Sequence, residues 1–145
     1  QLLRHRSFSF QEFSQRYADI RDLNDNFIIR EARLQDTKNR QNSISTDDTE
    51  LQMQWEGYQQ SVINQAKAAY EWAIENGIAK EQARVVLPEG NTVSRLYVNG
   101  TIRSWIHYID LRSSNGTQME HIELAKEIAK AISAIYPSIM EVVDG

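Results

Sequence analysis

Residues 47–77 read DDTELQMQWEGYQQSVINQAKAAYEWAIENG, and this stretch predicts a long helix in the middle of the chain. Asp47 and Glu50, three residues apart, resemble a capping box at its start, and Gly77 allows a left-handed stop at its end. Apolar side chains recur at helical spacing between these signals: Trp55, Tyr58, Val62, Ala66, Ala69 and Ala73. The spacing predicts an amphipathic helix over about residues 49–76. The large aromatic side chains expected in its core are Trp55, Tyr58 and Trp72.

The sequence on both sides of this helix adds further helices and little sheet. Upstream, residues 22–50 are mostly polar, and TKNRQNSISTDDT at 37–49 has no apolar period, so we expect an exposed loop. A final helix is expected between a capping box at Thr117 and Glu120 and a stop at Pro137. The other patterns predict a short helix in AKEQARVVLP at 79–88, a strand in TVSRLYVN at 92–99 and a helix in TIRSWIHYIDLR at 101–112.

The last two helices each have an apolar side for packing. In the helix over 101–112 this side comprises Ile102, Trp105, Ile106 and Ile109. Its other face carries Arg103, His107 and Asp110. In the final helix the side chains expected to point inward are Ile122, Ala125, Ala129, Ile132 and Tyr136. The expected fold class is therefore α+β and helix-rich.

The composition is typical of a folded chain and not of a general nucleic-acid binder. Hydrophobic residues make up 41% and charged residues 25% of the 145 positions, and the formal net charge is −4. Nucleic-acid binding is usually driven by a surplus of Lys and Arg, which this chain lacks. No run approaches the ~20 apolar residues of a membrane-spanning helix. Because the chain has no cysteine, it has no disulfide or thiolate metal site, and we expect a cytoplasmic location.

The size of the chain suits a single domain over residues 1–145. The chain begins at Gln1, inside a motif and not at a methionine, so we expect it to be the C-terminal portion of a longer protein. A missing N-terminal part is then expected to supply part of the sheet.

Three consecutive residues near the start, Arg4, His5 and Arg6, can all carry positive charge in an acidic chain. Their charges repel one another unless an anion neutralises them, so the sequence favours a site for a phosphate or carboxylate group. The alternative is a basic turn that is exposed to solvent. Arg84 precedes an apolar run, so a ligand contact suits it better than a simple surface role. Arg112, at a predicted helix end, either binds a ligand or offsets the helix dipole.

The histidines give no metal signal. His107 is interpreted first as a packing residue of its helix, and His121 as a surface residue. The sequence contains no His-x3-His spacing, glycine-rich phosphate loop or Ser/His/Asp arrangement, so we expect no metal site.

Taken together, the motifs resemble those of the flavin-dependent thymidylate synthase family. Arg4-His5-Arg6, seven residues and then Ser14 form its R-H-R-x7-S signature, with Gln1 three residues before the first arginine. QEFSQRY at 11–17 is similar to its Glu-x-Ser-x-Arg run, and EQARVVLP at 81–88 to its Ala-Arg-x-x-Leu-Pro segment. RSWIHYIDLR at 103–112 and TQMEHIELA at 117–125 are similar to the family segments that follow. The segments occur in family order over nearly the whole chain.

This resemblance implies an enzyme of the family's α+β fold that converts dUMP to dTMP. The carbon would come from methylenetetrahydrofolate and the hydride from reduced FAD, with NADPH recharging the flavin. Family members are typically homotetramers whose active sites are shared between subunits. A cytoplasmic homotetramer that binds dUMP and folate, but no nucleic acid or membrane, is therefore implied.

The resemblance also implies roles for individual residues. The implied dUMP contacts are Gln1, Arg4, Glu12, Ser14, Arg16, Arg84 and Arg112. The implied FAD contacts are Arg4, His5, Arg6, Glu12, Thr101, Arg103 and His107. Arg112 would also lie against the uracil ring and favour its N3-deprotonated form, which makes it the expected catalytic residue. The chain departs from the family at Thr101, where Asn is frequent, and at Gly116, where His often follows the last arginine.

The chemistry of the residue types is consistent with this function. Methylation at uracil C5 needs a covalent nucleophile or another way to raise electron density there, and this chain offers no thiolate. Reduction of the transferred carbon needs a hydride, which no side chain donates, so a redox cofactor is required. An arginine beside N3 could substitute electrostatically for the nucleophile. The alternatives are a non-catalytic nucleotide or nucleic-acid binding module that uses the same arginines, and a helical interaction domain.

Overall fold

The computed structural model describes residues 2–12, 27–40, 42–113 and 117–140, with Met140 described for its backbone alone. These residues include four short strands: β1 (Ser9–Glu12), β2 (Arg33–Gln35), β3 (Ser43–Ser45) and β4 (Leu96–Asn99). The helices are α1 (Thr49–Glu75), α2 (Lys80–Ala83), α3 (Ile102–Ser113) and α4 (Met119–Ser133). Single 3-10 turns lie at Leu2–Arg4, Arg84–Val86 and Pro137–Met140. The prediction of a helix-rich α+β fold is confirmed.

The described chain divides into two compact units, each with its own core. The α1 unit comprises the described parts of Glu12–Ala32 and Thr46–Leu96. The α3/α4 unit comprises the described parts of Gln1–Gln11, Arg33–Ser45 and Tyr97–Gly145. That the whole chain forms one domain stays a prediction.

Helix α1 agrees closely with its predicted bounds. Its N-cap is Asp48 and not the predicted Asp47, because the Asp48 carboxylate accepts from the backbone N–H of Leu51. At the other end Gly77 adopts a φ of 75°, the left-handed stop that the sequence predicts.

The predicted core face of α1 is confirmed only in part: Ala66 and Ala73 are buried, but the aromatic side chains expected beside them are not. Trp55, Tyr58 and Trp72 are 44%, 70% and 61% exposed, whereas the buried residues of the helix are Gln59, Ile63, Ala66, Tyr70 and Ala73. The physical reason is that the backbone of the neighbouring segment, at Arg30, needs hydrogen-bond partners from this helix. The Gln59 side chain accepts from the backbone N–H of Arg30 at 2.8 Å and donates to the Arg30 carbonyl at 2.7 Å. Burying this glutamine satisfies the backbone N–H and carbonyl of Arg30, a requirement that the apolar spacing of the helix does not indicate.

The core of the α1 unit is small. Tyr70, Ala73 and Ala83 form it, with Phe27 and Leu87 packed against them. Ala83 ends the short helix α2, and a 3-10 turn follows it before Pro88. The predicted short helix ended by proline is confirmed.

Part of the predicted loop is a β-hairpin. Strands β2 and β3 pair antiparallel, with Leu34 opposite Ile44. The Asp36 carboxylate organises the connection: its oxygens accept from the backbone N–H of Lys38 and Asn39 and from the Asn42 side chain. The expectation of a loop throughout residues 37–49 is wrong for β3, because a turn built from one carboxylate holds together strands too short to show an alternating pattern.

The α3/α4 unit holds the larger core. Strand β1 pairs with β4, which confirms the predicted strand for Leu96–Asn99; residues 93–95, which the prediction also included, lie outside it. The buried core residues are Phe8, Tyr108, Ile109, Ala125, Ala129 and Ile139. Ile109 and both alanines confirm the predicted faces, but Ile102 and Ile106 are exposed because the buried side of α3 turns toward Tyr108. Tyr136, predicted to point inward, is also exposed.

The predicted capping box of the last helix is wrong. Helix α4 begins after Gln118, without a side-chain cap. Glu120 instead forms an ion pair with Arg33 of the hairpin, so its carboxylate is used for tertiary packing. Among the described residues, the helices are all too short or too polar to cross a membrane.

Candidate active site

The Arg4-His5-Arg6 sequence forms the bend between the first 3-10 turn and strand β1. The backbone N–H of His5 donates to the Leu2 carbonyl at 3.1 Å, and that of Phe8 donates to the His5 carbonyl at 3.2 Å. Arg4 and Arg6 are exposed, whereas His5 is half-buried. The bend therefore presents two guanidinium groups outward and turns the imidazole toward the protein.

Phe8 anchors this bend in the core. Its ring lies 4.4 Å from that of Trp105 and 5.9 Å from that of Tyr108, measured between centroids. The ring also lies over Gly100, where an added Cβ would come within 2.2 Å of the phenyl carbons. A glycine at this position is what lets the ring pack there.

Two segments far apart in the sequence meet at His5. The Arg112 side chain, 107 positions away, donates from Nε to His5 Nε2 at 3.0 Å. Accepting this bond requires a neutral His5 with its proton on Nδ1. Burial lowers the pKa of His5, and the positive charges of Arg112 and His107 lower it further. The geometry and the pKa thus agree on the neutral form.

Helix α3 places Arg103 and His107 on an exposed face, as predicted. His107 is therefore a surface residue and not the packing residue that its sequence context first suggested. Thr101, immediately before the helix, accepts the backbone N–H of Ser104 on its hydroxyl at 3.2 Å. That hydroxyl caps α3, a use that the sequence interpretation missed.

The remaining predicted contacts belong to the α1 unit or lie outside the described residues. Arg84 is exposed in the 3-10 turn after α2. Glu12 is exposed and accepts from the Ser94 hydroxyl at 2.7 Å. Predicted positions outside the described residues are Gln1, Ser14, Arg16 and Gly116.

Sequence interpretation missed a buried polar pair next to His5. The Tyr108 hydroxyl lies 3.1 Å from His121 Nε2, and the two side chains belong to the inner faces of α3 and α4. The expectation that His121 lies on the surface is wrong, since it is 9% exposed. The available signal for its inward position was its spacing, four residues before Ala125 and eight before Ala129, both of which are predicted to point inward.

The α3/α4 unit contains a set of basic side chains that no described carboxylate neutralises by an ion pair. Its members are Arg4, Arg6, Arg103, His107 and Arg112. The described part of the chain also contains no cluster of His, Asp and Glu suited to a metal ion. Such a set of donors is suited to phosphate and other anionic groups.

Comparison with known proteins gives a consistent answer. A profile of the family described as thymidylate synthase complementing protein matches residues 1–138. A probable flavin-dependent thymidylate synthase of Paramecium bursaria Chlorella virus 1 is 49% identical over 144 residues, which cover 99% of this chain and 65% of that protein. The flavin-dependent thymidylate synthase of Synechocystis is 45% identical over 139 residues, covering 96% of this chain and 62% of that protein.

A solved structure matches the fold as well. The UMP/dUMP methylase PolB from Streptomyces cacaoi, bound with 5-Br UMP, superposes with a TM-score of 0.83 at 26% identity over 97% of this chain. The match covers 65% of the PolB chain. The chain thus spans less than two thirds of the length of these relatives.

Proposed function

The chain belongs to the thymidylate synthase complementing protein family, the flavin-dependent thymidylate synthases, and on that premise we propose that it carries out reductive methylation of dUMP to dTMP. Methylenetetrahydrofolate is the proposed carbon donor, and NADPH the proposed reductant of bound FAD. The observation that carries the proposal is the contact of Arg112 with His5, which brings two predicted site residues 107 positions apart into hydrogen-bond contact.

The proposed dUMP contacts are Gln1, Arg4, Glu12, Ser14, Arg16, Arg84 and Arg112. Arg4 supports this assignment because its guanidinium is exposed and, among the described residues, has no acidic partner. A planar guanidinium can donate two parallel hydrogen bonds to a phosphate. The exposure of Arg84 supports a ligand contact in the same way.

The residues present fit FAD, whose pyrophosphate carries negative charge. The proposed contacts are Arg4, His5, Arg6, Glu12, Thr101, Arg103 and His107. Arg6 and Arg103 are exposed and, within the described part of the chain, not neutralised by an acid. While the Thr101 hydroxyl caps α3, it can still offer a ligand either a lone pair or its proton. When bound, FAD supplies the hydride that reduces the transferred carbon to a methyl group.

Arg112 is the proposed catalytic residue. Its Nε is held by His5, and its Nη atoms have no hydrogen-bond partner among the described residues. These Nη groups can therefore donate to a uracil oxygen or to N3. A fixed cation beside N3 stabilises the deprotonated ring, and the negative charge of that ring raises electron density at C5. This chain contributes no cysteine to do so covalently.

A homotetramer with active sites shared between subunits is the proposed assembly, in the cytoplasm. Helix α1 supports it, because one side of the helix is apolar and exposed. This side, the α1 stripe, comprises Leu51, Trp55, Tyr58, Val62, Ala69 and Trp72. A contiguous exposed apolar stripe of this kind is typical of a protein interface.

The structural likeness to a UMP/dUMP methylase favours a second candidate, methylation of UMP. The two candidates differ only in the 2′-hydroxyl of the nucleotide. Product analysis with both nucleotides therefore belongs in the same assay.

The proposal is tested with the purified protein containing this chain. We expect a yellow protein whose flavin absorption changes on addition of dUMP and which forms dTMP with methylenetetrahydrofolate and NADPH. A colourless protein that cannot be reconstituted with FAD would contradict it. Binding of dUMP without flavin or turnover would favour the non-catalytic nucleotide-binding module instead.

A further inference from the structure

A chain of four side chains leads from the core of the α3/α4 unit to the proposed catalytic arginine. His121 Nε2 lies 3.1 Å from the Tyr108 hydroxyl. The Tyr108 and His5 rings pack edge to face, with centroids 4.9 Å apart and the planes at 73°. His5 in turn accepts from Arg112 Nε at 3.0 Å. Each contact fixes the next group in the chain.

The inner pair is deeply placed. Tyr108 is 0% exposed and lies among the rings of His5, Phe8, Trp105 and His121. Burying a hydroxyl and an imidazole costs free energy that two apolar side chains of the same shape would not cost. Stability alone therefore does not explain a tyrosine and a histidine here, whereas a need for fixed orientation does.

The protonation states suit a fixed arrangement. Burial lowers the pKa of His121 to about 4, and the positive charge of Arg112 acts in the same direction. Burial raises the pKa of Tyr108, so its hydroxyl keeps its proton. Both groups are therefore neutral near pH 7, and a single hydrogen bond joins them.

We propose that Tyr108 is a positioning residue for Arg112. Its ring, anchored by His121, supports His5 in the orientation in which Nε2 accepts from Arg112 Nε. The Nη groups of Arg112 are then left to face the nucleotide. This inference rests on the proposed function of Arg112, and it adds two residues that the resemblance does not include.

Loss of the Tyr108 ring is expected to lower the turnover rate more than it lowers cofactor binding. Misplacement of a catalytic group by a fraction of an ångström lowers turnover, and loss of residues that orient a site typically costs about 10–100-fold. Of the proposed FAD contacts, His5 packs against Tyr108, so FAD content is expected to fall less than turnover, and turnover is therefore counted per bound flavin. A purely structural role would lower the folded fraction and leave the turnover per bound flavin unchanged.

The test compares three variants of the FAD-loaded protein. Tyr108→Leu removes the supporting ring, and Tyr108→Phe keeps the ring but loses the bond to His121. Tyr136→Leu, at an exposed tyrosine of the same unit, is the matched control. Two quantities are measured for each: kcat per bound flavin, and the tautomer of His5 by NMR of nitrogen-labelled histidine.

We expect Tyr108→Leu to lose about tenfold or more in kcat per bound flavin and Tyr108→Phe about threefold, with the control unchanged. The wild type should show one His5 tautomer, protonated at Nδ1, and Tyr108→Leu a mixture. If Tyr108→Leu does not fold, Tyr108→Phe decides with the same readouts. A folded Tyr108 variant with the wild-type tautomer and the wild-type kcat per bound flavin would overturn the inference. If the wild type forms no thymidylate, the proposed function fails, while the NMR result still decides whether Tyr108 positions His5.

Discussion

At the scale of single residues, Gly100 links the core to the Arg4-His5-Arg6 bend. We predict that Gly100→Ala destabilises the protein by about 1–3 kcal/mol, because its Cβ would overlap the buried Phe8 ring. The displaced ring should also move the bend and weaken FAD binding. Urea unfolding and flavin titration measure the two effects.

Gly57→Ala is the matched control for this substitution. Gly57 lies within α1, and an added Cβ there meets nothing within 4 Å. This control should stabilise the helix by about 0.5–1 kcal/mol. Equal effects of the two substitutions would contradict the role given to Gly100.

His121 makes stability depend on pH. Its folded pKa of about 4 lies below its ordinary value of 6.5, so the unfolded chain binds a proton that the folded protein does not. The free energy of unfolding should therefore have its full value above pH 6.5 and fall as the pH drops from 6.5 toward 4. His5, whose pKa is also lowered, acts in the same direction.

The measurement is the urea midpoint between pH 7 and pH 4.5. His121→Gln, which can still bond to Tyr108, should lose less stability over this range than the wild type. The groups that face His121 are Tyr108, Arg112 and His5, and they remain in the variant. Parallel curves for the two proteins would show that His121 is not the group responsible.

At the candidate site, the sequence motifs single out His5 and Arg112, and the roles of these two residues stay predictions. Their hydrogen bond to each other was not predicted, because motifs do not indicate which contacts two segments 107 positions apart make. The placement of His121 was missed, although its four-residue spacing from Ala125 indicated the inner face of α4. A histidine is acceptable on a surface or in a core, so its residue type alone did not decide between them.

At the scale of elements, Gln59 decides which face of α1 is buried. Gln59→Leu should destabilise the protein by about 2–4 kcal/mol, because it leaves both the N–H and the carbonyl of Arg30 without their partner. Gln60→Leu is the control, since Gln60 is exposed and bonds only the Asn64 side chain among the described residues. Thermal unfolding of both variants is the measurement; equal shifts would rule out this role for Gln59.

The extent of the helices was therefore predicted better than their orientation, which was right for Ala125 and Ala129 of α4 and wrong for the aromatic side chains of α1. The capping residue and Gly77 are local signals, and they gave the bounds of α1 to within a residue. Orientation depends on what packs against the helix, which for α1 includes the backbone of Arg30 and Ala32. The short hairpin strands were missed for a related reason: each is held by its partner strand and by the Asp36 turn, and not by its own pattern.

At the scale of the whole molecule, the α1 stripe tests the proposed assembly. Tyr58→Glu should shift the protein from a tetramer to smaller species, because a charge placed in an apolar interface is left without a partner. Light scattering coupled to size-exclusion chromatography gives the mass. Tyr136→Glu changes an exposed tyrosine outside the stripe and should leave the mass unchanged. A tetramer in both variants would mean that this part of the stripe is not buried between subunits.

The most direct test of the central claim is dTMP formation by the FAD-loaded protein with and without Arg112. We predict that the wild type forms dTMP from dUMP, and that Arg112→Ala loses at least about 100-fold in turnover while it retains its flavin absorption. Wild-type turnover in Arg112→Ala, or no dTMP from a wild type that binds FAD and dUMP, would contradict the account.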